Sequence, residues 1–170
     1  EDVYADLSNL NEHSAKGHQL QSGITIMNPY TGNIVGMVGA MGPKTQNLVD
    51  NYAVQKHQVG SSIKPLTVYS AALDAGAVTP ATTFDNYPVE LMNNSPWPKN
   101  SPNTYTGWTM IGEGVRRSIN TIAVQTVEAL GVAESYAYAT EKLGLSLVPE
   151  DMAVSPLAMG GLTYGLSTVE

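Results

Sequence analysis

Gly60-Ser61-Ser62-Ile63-Lys64-Pro65 is the stretch on which the reading of this chain turns. Glycine supplies a turn, and proline is tolerated in a helix only around its first turn, so a helix is predicted to start near Ser61. Leu66, Tyr69 and Leu73 then recur at helical spacing, and Gly76 offers a left-handed stop. Ser61 and Lys64 stand three apart, which on a helix places both side chains on one face about one turn from each other.

That spacing has chemical content. A serine hydroxyl attacks a carbonyl only if something takes its proton, and a lysine can do so once burial lowers its pKa toward neutrality. The helix N-terminus adds a field that favours developing negative charge. Among thirteen serines and six lysines an S-x-x-K also arises by chance, as a helix-capping serine and a solvated lysine. This one is the single S-x-x-K in the chain and opens a helix after a glycine turn. A hydroxyl and an amide in the pattern S-x-N could relay a proton and hold a substrate carbonyl. The pattern occurs at Ser101-Pro102-Asn103 and at Ser118-Ile119-Asn120. The first lies in a proline-rich loop; the second interrupts two helical segments and is held at both ends, so Ser118 and Asn120 are preferred.

Working outward, Leu20 to Met41 carries a β-hairpin signal, with Ile24 and Ile26, then Ile34, Val35 and Val38, flanking the turn Asn28-Pro29-Tyr30-Thr31-Gly32-Asn33. Gly36, Gly39 and Gly42 suggest a close backbone neighbour. Residues 1–18 are polar and weakly patterned, a lead-in. Ala77 to Gly107 holds five of the ten prolines and is predicted to be a long ordered loop without regular elements. Thr109 is predicted to cap a short helix through Arg117, and Ile122, Val124, Val127 and Leu130 continue in a second helix stopped by Gly131. A further helix spans about Val132 to Leu143 and ends at Gly144. Ser167-Thr168-Val169-Glu170 has the S-x-x-E form of a capping box, announcing a helix beyond it.

Composition narrows the classes. The chain has 170 residues, 42% hydrophobic, enough for one core. A net charge of -7 and basic residues that never form a run argue against nucleic acid as a partner. The absence of cysteine rules out disulfides and thiolate metal sites and leaves the redox compartment open. No window approaches the roughly 18 consecutive apolar residues of a membrane span, and the acidic start is unlike a signal peptide, so any membrane anchor is expected outside this chain. His13, His18 and His57 lack metal-ligand spacing. Ser61 with His57 lacks the G-x-S-x-G elbow of a Ser/His/Asp hydrolase. Tyr52, Tyr69, Tyr136 and Tyr138 read as packing residues rather than a carbohydrate platform, and Trp97 stays open.

Gly60-Ser61-Ser62-Ile63-Lys64-Pro65 followed by Ser118-Ile119-Asn120 after a short helix resembles the transpeptidase domain of class A penicillin-binding proteins. Gly23 to Gly39 is similar to that family's opening hairpin, and Ser155-Pro156-Leu157-Ala158-Met159-Gly160-Gly161-Leu162-Thr163-Tyr164-Gly165 to its stretch before a later helix. Val59 stands where proline is usual, Ile63 where an aromatic is frequent, and the third motif, K-T-G, is absent. The resemblance implies an α+β fold of the penicillin-binding protein and serine β-lactamase type, an antiparallel sheet flanked by helices. Residues 19–170 would be the N-terminal section of that domain, with the opening hairpin and most of the helical part. The remaining strands and the K-T-G strand, which supplies half of the oxyanion hole, would come from a second polypeptide segment.

It further implies a serine D,D-transpeptidase acting on peptidoglycan stem peptides that end in D-Ala-D-Ala, without a cofactor and with β-lactam antibiotics as covalent mimics. Ser61 would be the nucleophile and Lys64 its base; Ser118 would pass a proton to the leaving amine. Asn120 would hold Lys64 and the substrate amide, and the Ser61 N–H would donate to the oxyanion. The place of work would be the bacterial envelope, outside the cytoplasmic membrane, behind an N-terminal anchor. A serine β-lactamase or a penicillin-sensing receptor domain shares Ser61, Lys64 and the S-x-N. No E-x-x-L-N segment like that of class A β-lactamases occurs, and the hairpin and the Gly161–Gly165 stretch are more similar to the synthase.

Overall fold

The β-branched runs either side of Asn28–Asn33 pair into an antiparallel hairpin, β1 (Ile24–Met27) and β2 (Ile34–Val38). In the turn the Asn28 side chain accepts from the Tyr30 N–H at 2.9 Å, and Gly32 takes a positive φ of 72°. The register is Ile24 to Val38, Thr25 to Met37 and Ile26 to Gly36, then shifts by a bulge so that Met27 faces Ile34 and Val35 is unpaired. The computed structural model describes residues 21–42, 47 and 49–170; the predicted lead-in, residues 1–18, lies outside them. The described residues divide into two compact units, one of those up to His57 with Leu166–Glu170 and one of Gln58–Gly165.

In the first unit the return segment is pinned by backbone hydrogen bonds in both directions between His57 and Leu166, at 2.9 Å. Thr168 Oγ1 bridges the Ala53 carbonyl and Thr25 Oγ1. Of the three glycines expected to admit a neighbour, Gly39 does: its carbonyl accepts from Tyr52 N at 2.7 Å, and a Cβ there would meet the Asn51 side chain. Gly42 faces open space. The Glu170 carboxylate accepts from the Ser167 N–H at 2.9 Å, the half of a capping box in which the acidic residue reaches back.

The second unit is built around α3 (Asn120–Leu130), which buries Ile122, Ala123, Val124 and Val127 completely. Packed on it are the helix that begins at Gly60, α2 (Ile111–Arg116) and α5 (Val154–Met159). The helix that begins at Gly60 is not uniform. One 3₁₀ turn (Gly60–Ile63) leads into a π segment (Lys64–Ser70) and a short α1 (Ala71–Asp74), closed by Gly76 with a φ of 67°. A helical carbonyl has a second lone pair that an outside donor can use. Ser135 Oγ, from α4 (Val132–Ala137), donates to the Thr67 carbonyl at 2.7 Å, and Thr67 Oγ1 donates to the Leu157 carbonyl at 2.6 Å. Helices four and five thus grip the turn that carries Lys64.

Two expectations are corrected here. The stretch Ala77 to Gly107 is not irregular: β3 (Thr83–Asn86) pairs with β6 (Gly107–Met110), and β4 (Glu90–Met92) with β5 (Ser95–Trp97). Asn93 and Asn94 sit at φ 50° and 60°, the left-handed pair of a two-residue hairpin turn. Prolines are admitted because β4 and β5 form a ribbon with two outer edges, where a missing N–H goes unnoticed. Nor does Thr109 cap α2. It lies in β6 with its hydroxyl on the Gly107 carbonyl, while the first free N–H groups of α2, at Ile111 and Gly112, are taken by the carbonyls of Thr82 and Pro80. Backbone from a neighbouring loop does the work expected of a side chain.

Candidate active site

Ser61 sits exposed in the first turn of the helix, and no side-chain oxygen caps that helix, whose flanking residue is Val59. The reading of Ser61 as a mere cap therefore fails. So does the reading of Lys64 as solvated: it is 2% exposed. Its Nζ donates to Asn120 Oδ1 at 2.6 Å, to the Ser118 carbonyl at 2.8 Å and to Ser118 Oγ at 3.2 Å. All three acceptors are neutral. With burial disfavouring the ammonium and no carboxylate among its partners, the lysine is lowered to about 8 from its usual 10.5.

Ser118 and Asn120 reach Lys64 because of how α2 ends. The Ile119 N–H donates to the Gly114 carbonyl and the Ser118 N–H to the Val115 carbonyl, the paired bonds of a Schellman cap. The residue at the left-handed position of that cap is normally glycine; here it is Ser118, at φ 54°. A hydroxyl has been placed where backbone strain costs roughly 1 kcal/mol. Such outliers cluster where a side chain must be aimed. Buried Ile119 then turns the chain into α3, whose first residue is Asn120.

The start of α3 is held by a polar network that the motif reading missed. Ile119, the flanking residue, offers no side-chain oxygen, and the N–H groups of Asn120 and Thr121 are accepted instead by Asn100 Oδ1, at 3.0 and 3.2 Å. Asn100 Nδ2 donates to Asn86 Oδ1 at 2.7 Å and to the Thr104 carbonyl at 2.9 Å. Thr121 Oγ1 also donates to Asn86 Oδ1, and Asn120 Nδ2 to the Lys99 carbonyl at 2.7 Å. An asparagine among prolines reads as a turn former, which is why the sequence hid it; the only signal was that Asn100 lies between Pro98 and Pro102.

The other S-x-N goes elsewhere. Ser101 and Asn103 are exposed, and Asn103 accepts from the Tyr105 hydroxyl at 2.7 Å in a groove lined also by Tyr87, Glu90, Leu91 and Lys99. Trp97 is half-buried against the core of the second unit. Tyr69 is buried with its hydroxyl unpartnered among the described residues, and burial pushes it well up.

One further contact shapes the turn that carries Ser61. Gly160, following α5, adopts φ 75°, and a Cβ there would run into the Gly60 carbonyl, one residue before Ser61. Only glycine satisfies both the conformation and the approach. Among the described residues no cluster of His, Cys, Asp or Glu could hold a metal, and no helix is long and apolar enough to cross a membrane.

Residues 22–150 match the family model described as the penicillin binding protein transpeptidase domain. The chain is 35% identical over 155 residues to penicillin-binding protein 1A of Clostridium botulinum, covering 85% of this chain and 19% of that protein. It is 37% identical over 143 residues to penicillin-binding protein 1A of Vibrio cholerae, covering 81% and 17%. It thus spans less than a quarter of either of these curated relatives. In structure it is similar to penicillin-binding protein 1A from Haemophilus influenzae, with a TM-score of 0.70 and 26% identity over 82% of this chain and 21% of that one. The D,D-transpeptidase domain of a peptidoglycan glycosyltransferase from Eggerthella lenta shares the fold, with a TM-score of 0.61 at 18% identity over 86% and 37%.

Proposed function

The chain belongs to the penicillin-binding protein transpeptidase domain family, and from that membership we propose that it carries the acylating machinery of a serine D,D-transpeptidase that cross-links peptidoglycan stem peptides. The observation that carries this reading is a buried lysine without a counter-ion among the described residues, one helical turn from an exposed serine and hydrogen-bonded to both members of an S-x-N.

In its neutral form Lys64 takes the proton of Ser61 as Oγ attacks the penultimate D-Ala carbonyl. The tetrahedral oxyanion is met on one side by the Ser61 N–H. As the intermediate collapses, the C–N bond breaks and terminal D-Ala leaves with a proton passed through Ser118, giving an ester on Ser61. An amine of a neighbouring stem then attacks the ester, restoring Ser61 and forming the cross-link. Asn120 holds Lys64 through Oδ1 and, with one Nδ2 hydrogen on the Lys99 carbonyl, offers the other to the substrate. β-Lactams enter by the same attack and stay as slowly hydrolysed esters.

The second oxyanion donor belongs to a K-T-G strand, which this reading places on a further segment. That segment also supplies the strands that cover the hairpin, whose Ile26, Ile34, Val35 and Met37 are exposed. The whole enzyme works outside the cytoplasmic membrane, held by an anchor outside these residues.

Intact-mass analysis with benzylpenicillin tests this, using protein that holds these residues together with the K-T-G segment. One adduct is expected, mapping to Ser61, persisting for hours and absent in Ser61→Ala. Rapid loss of the adduct would point to a β-lactamase; a stable adduct on another residue would end the assignment.

A further inference from the structure

Asn120 can serve Lys64 only if its amide presents oxygen rather than nitrogen, and only if the first turn of α3 is fixed in place. Both conditions trace to one dipeptide outside the motifs. The Lys99 carbonyl accepts from Asn120 Nδ2 at 2.7 Å; a carbonyl cannot donate, so the amide nitrogen is committed there and Oδ1 is left facing Lys64 at 2.6 Å. The next residue, Asn100, accepts from the backbone N–H of Asn120 at 3.0 Å and of Thr121 at 3.2 Å. Its own amide is oriented in turn, because both Nδ2 hydrogens are spent on Asn86 Oδ1 and the Thr104 carbonyl. Asn100 is 9% exposed and Asn86 1%, so water competes little for these bonds.

Resting on the transpeptidase reading, we propose that Asn100 is a positioning residue for acylation: it never touches substrate, but it sets where Asn120 stands and thereby aims Lys64. A residue that only capped a helix would be felt as lost stability. One that aims Asn120 is felt in the chemical step, and only while Asn120 is present.

The test measures benzylpenicillin acylation of Ser61 in protein carrying the K-T-G segment, separating the limiting rate from the affinity and following melting in parallel. Asn100→Ala is expected to lower the limiting rate roughly 10- to 100-fold with affinity changed little. Asn100→Ser keeps a shorter oxygen acceptor that can also donate to Asn86 Oδ1, and is expected to acylate at a rate between those of Asn100→Ala and wild type. The decisive comparison is Asn100→Ala/Asn120→Ala, which should acylate no more slowly than Asn120→Ala alone, within about threefold. If the two losses multiply, or if Asn100→Ala acylates at the wild-type rate, the inference is overturned while the transpeptidase reading stands. If Asn100→Ala does not melt cooperatively, Asn100→Ser decides, and acylation at the wild-type rate overturns the role given to the Asn100 oxygen. Failure of the wild type to take any adduct at Ser61 would instead bring down the transpeptidase reading, and this inference with it.

Discussion

The hairpin and the helical unit are both rich in Ile and Val, yet they treat them in opposite ways. In the hairpin Ile26 is 57% exposed and Val35 66%, whereas in α3 Ile122, Val124 and Val127 are fully buried. A two-stranded ribbon has two faces and two edges and cannot cover itself; a helix ringed by other helices can. The site residues Ser61, Lys64, Ser118 and Asn120 all lie in the unit that completes its own core. Burying a lysine without a counter-ion demands such a scaffold, because desolvation must be borne by packing elsewhere.

The contrast can be broken most directly at Ile122. Its replacement by Ala should destabilise the second unit by roughly 2–5 kcal/mol, read as a fall in urea midpoint at constant slope. A loss below about 1 kcal/mol would mean that the core is not closed around α3.

A smaller effect should follow pH. Lys64 titrates at about 8 when folded against 10.5 ordinarily. Between those values the unfolded chain binds more protons, so stability should rise with pH, by at most roughly 1.4 kcal/mol per pH unit, and stay level below about pH 8. Above pH 10 the raised Tyr69 works the other way, since the unfolded chain then loses a proton that the folded one keeps. Urea midpoints from pH 7 to 10 should climb for wild type and stay flat for Lys64→Met. If Lys64 is the base, the acylation rate should climb as pH rises toward 8 and level off above it, the range complementary to that of the stability rise.

Ser118→Gly separates the fold's interest from the site's. Glycine fits the left-handed cap better, so melting should rise by the equivalent of about 1 kcal/mol while acylation falls. Unchanged acylation in this variant would remove Ser118 from the proton path.

The least effect is expected in the hairpin. Val35→Ala should change the stability of the chain as described by less than about 0.5 kcal/mol. A markedly larger loss in protein that includes the K-T-G segment would show that added strands cover this face.

How much of this was legible depended on the range of the interaction involved. The hairpin could be read because β-branched runs around Pro, Gly and Asn act locally, and Ser61–Lys64 because a three-residue spacing is a property of one helix turn. Ser118-Ile119-Asn120 could be placed between two helices from its neighbours alone. The pairing of β3 with β6 could not, because it joins residues more than twenty apart and runs through prolines that argue against strands. The Asn93-Asn94 turn was a signal that the neighbouring prolines outweighed.

Alone, the sequence determined that a helix opens at the Gly60-Ser61 turn and stops at Gly76, that α3 stops at Gly131, and which serine and lysine share a face, since these are matters of backbone preference over a few residues. Tertiary structure alone decided that Lys64 is dry, that its partners are Ser118 and Asn120, and that Asn100 rather than a local residue caps α3. Burial and hydrogen-bond orientation arise only when segments distant in sequence are packed together, and the chemistry proposed at Ser61 depends on them.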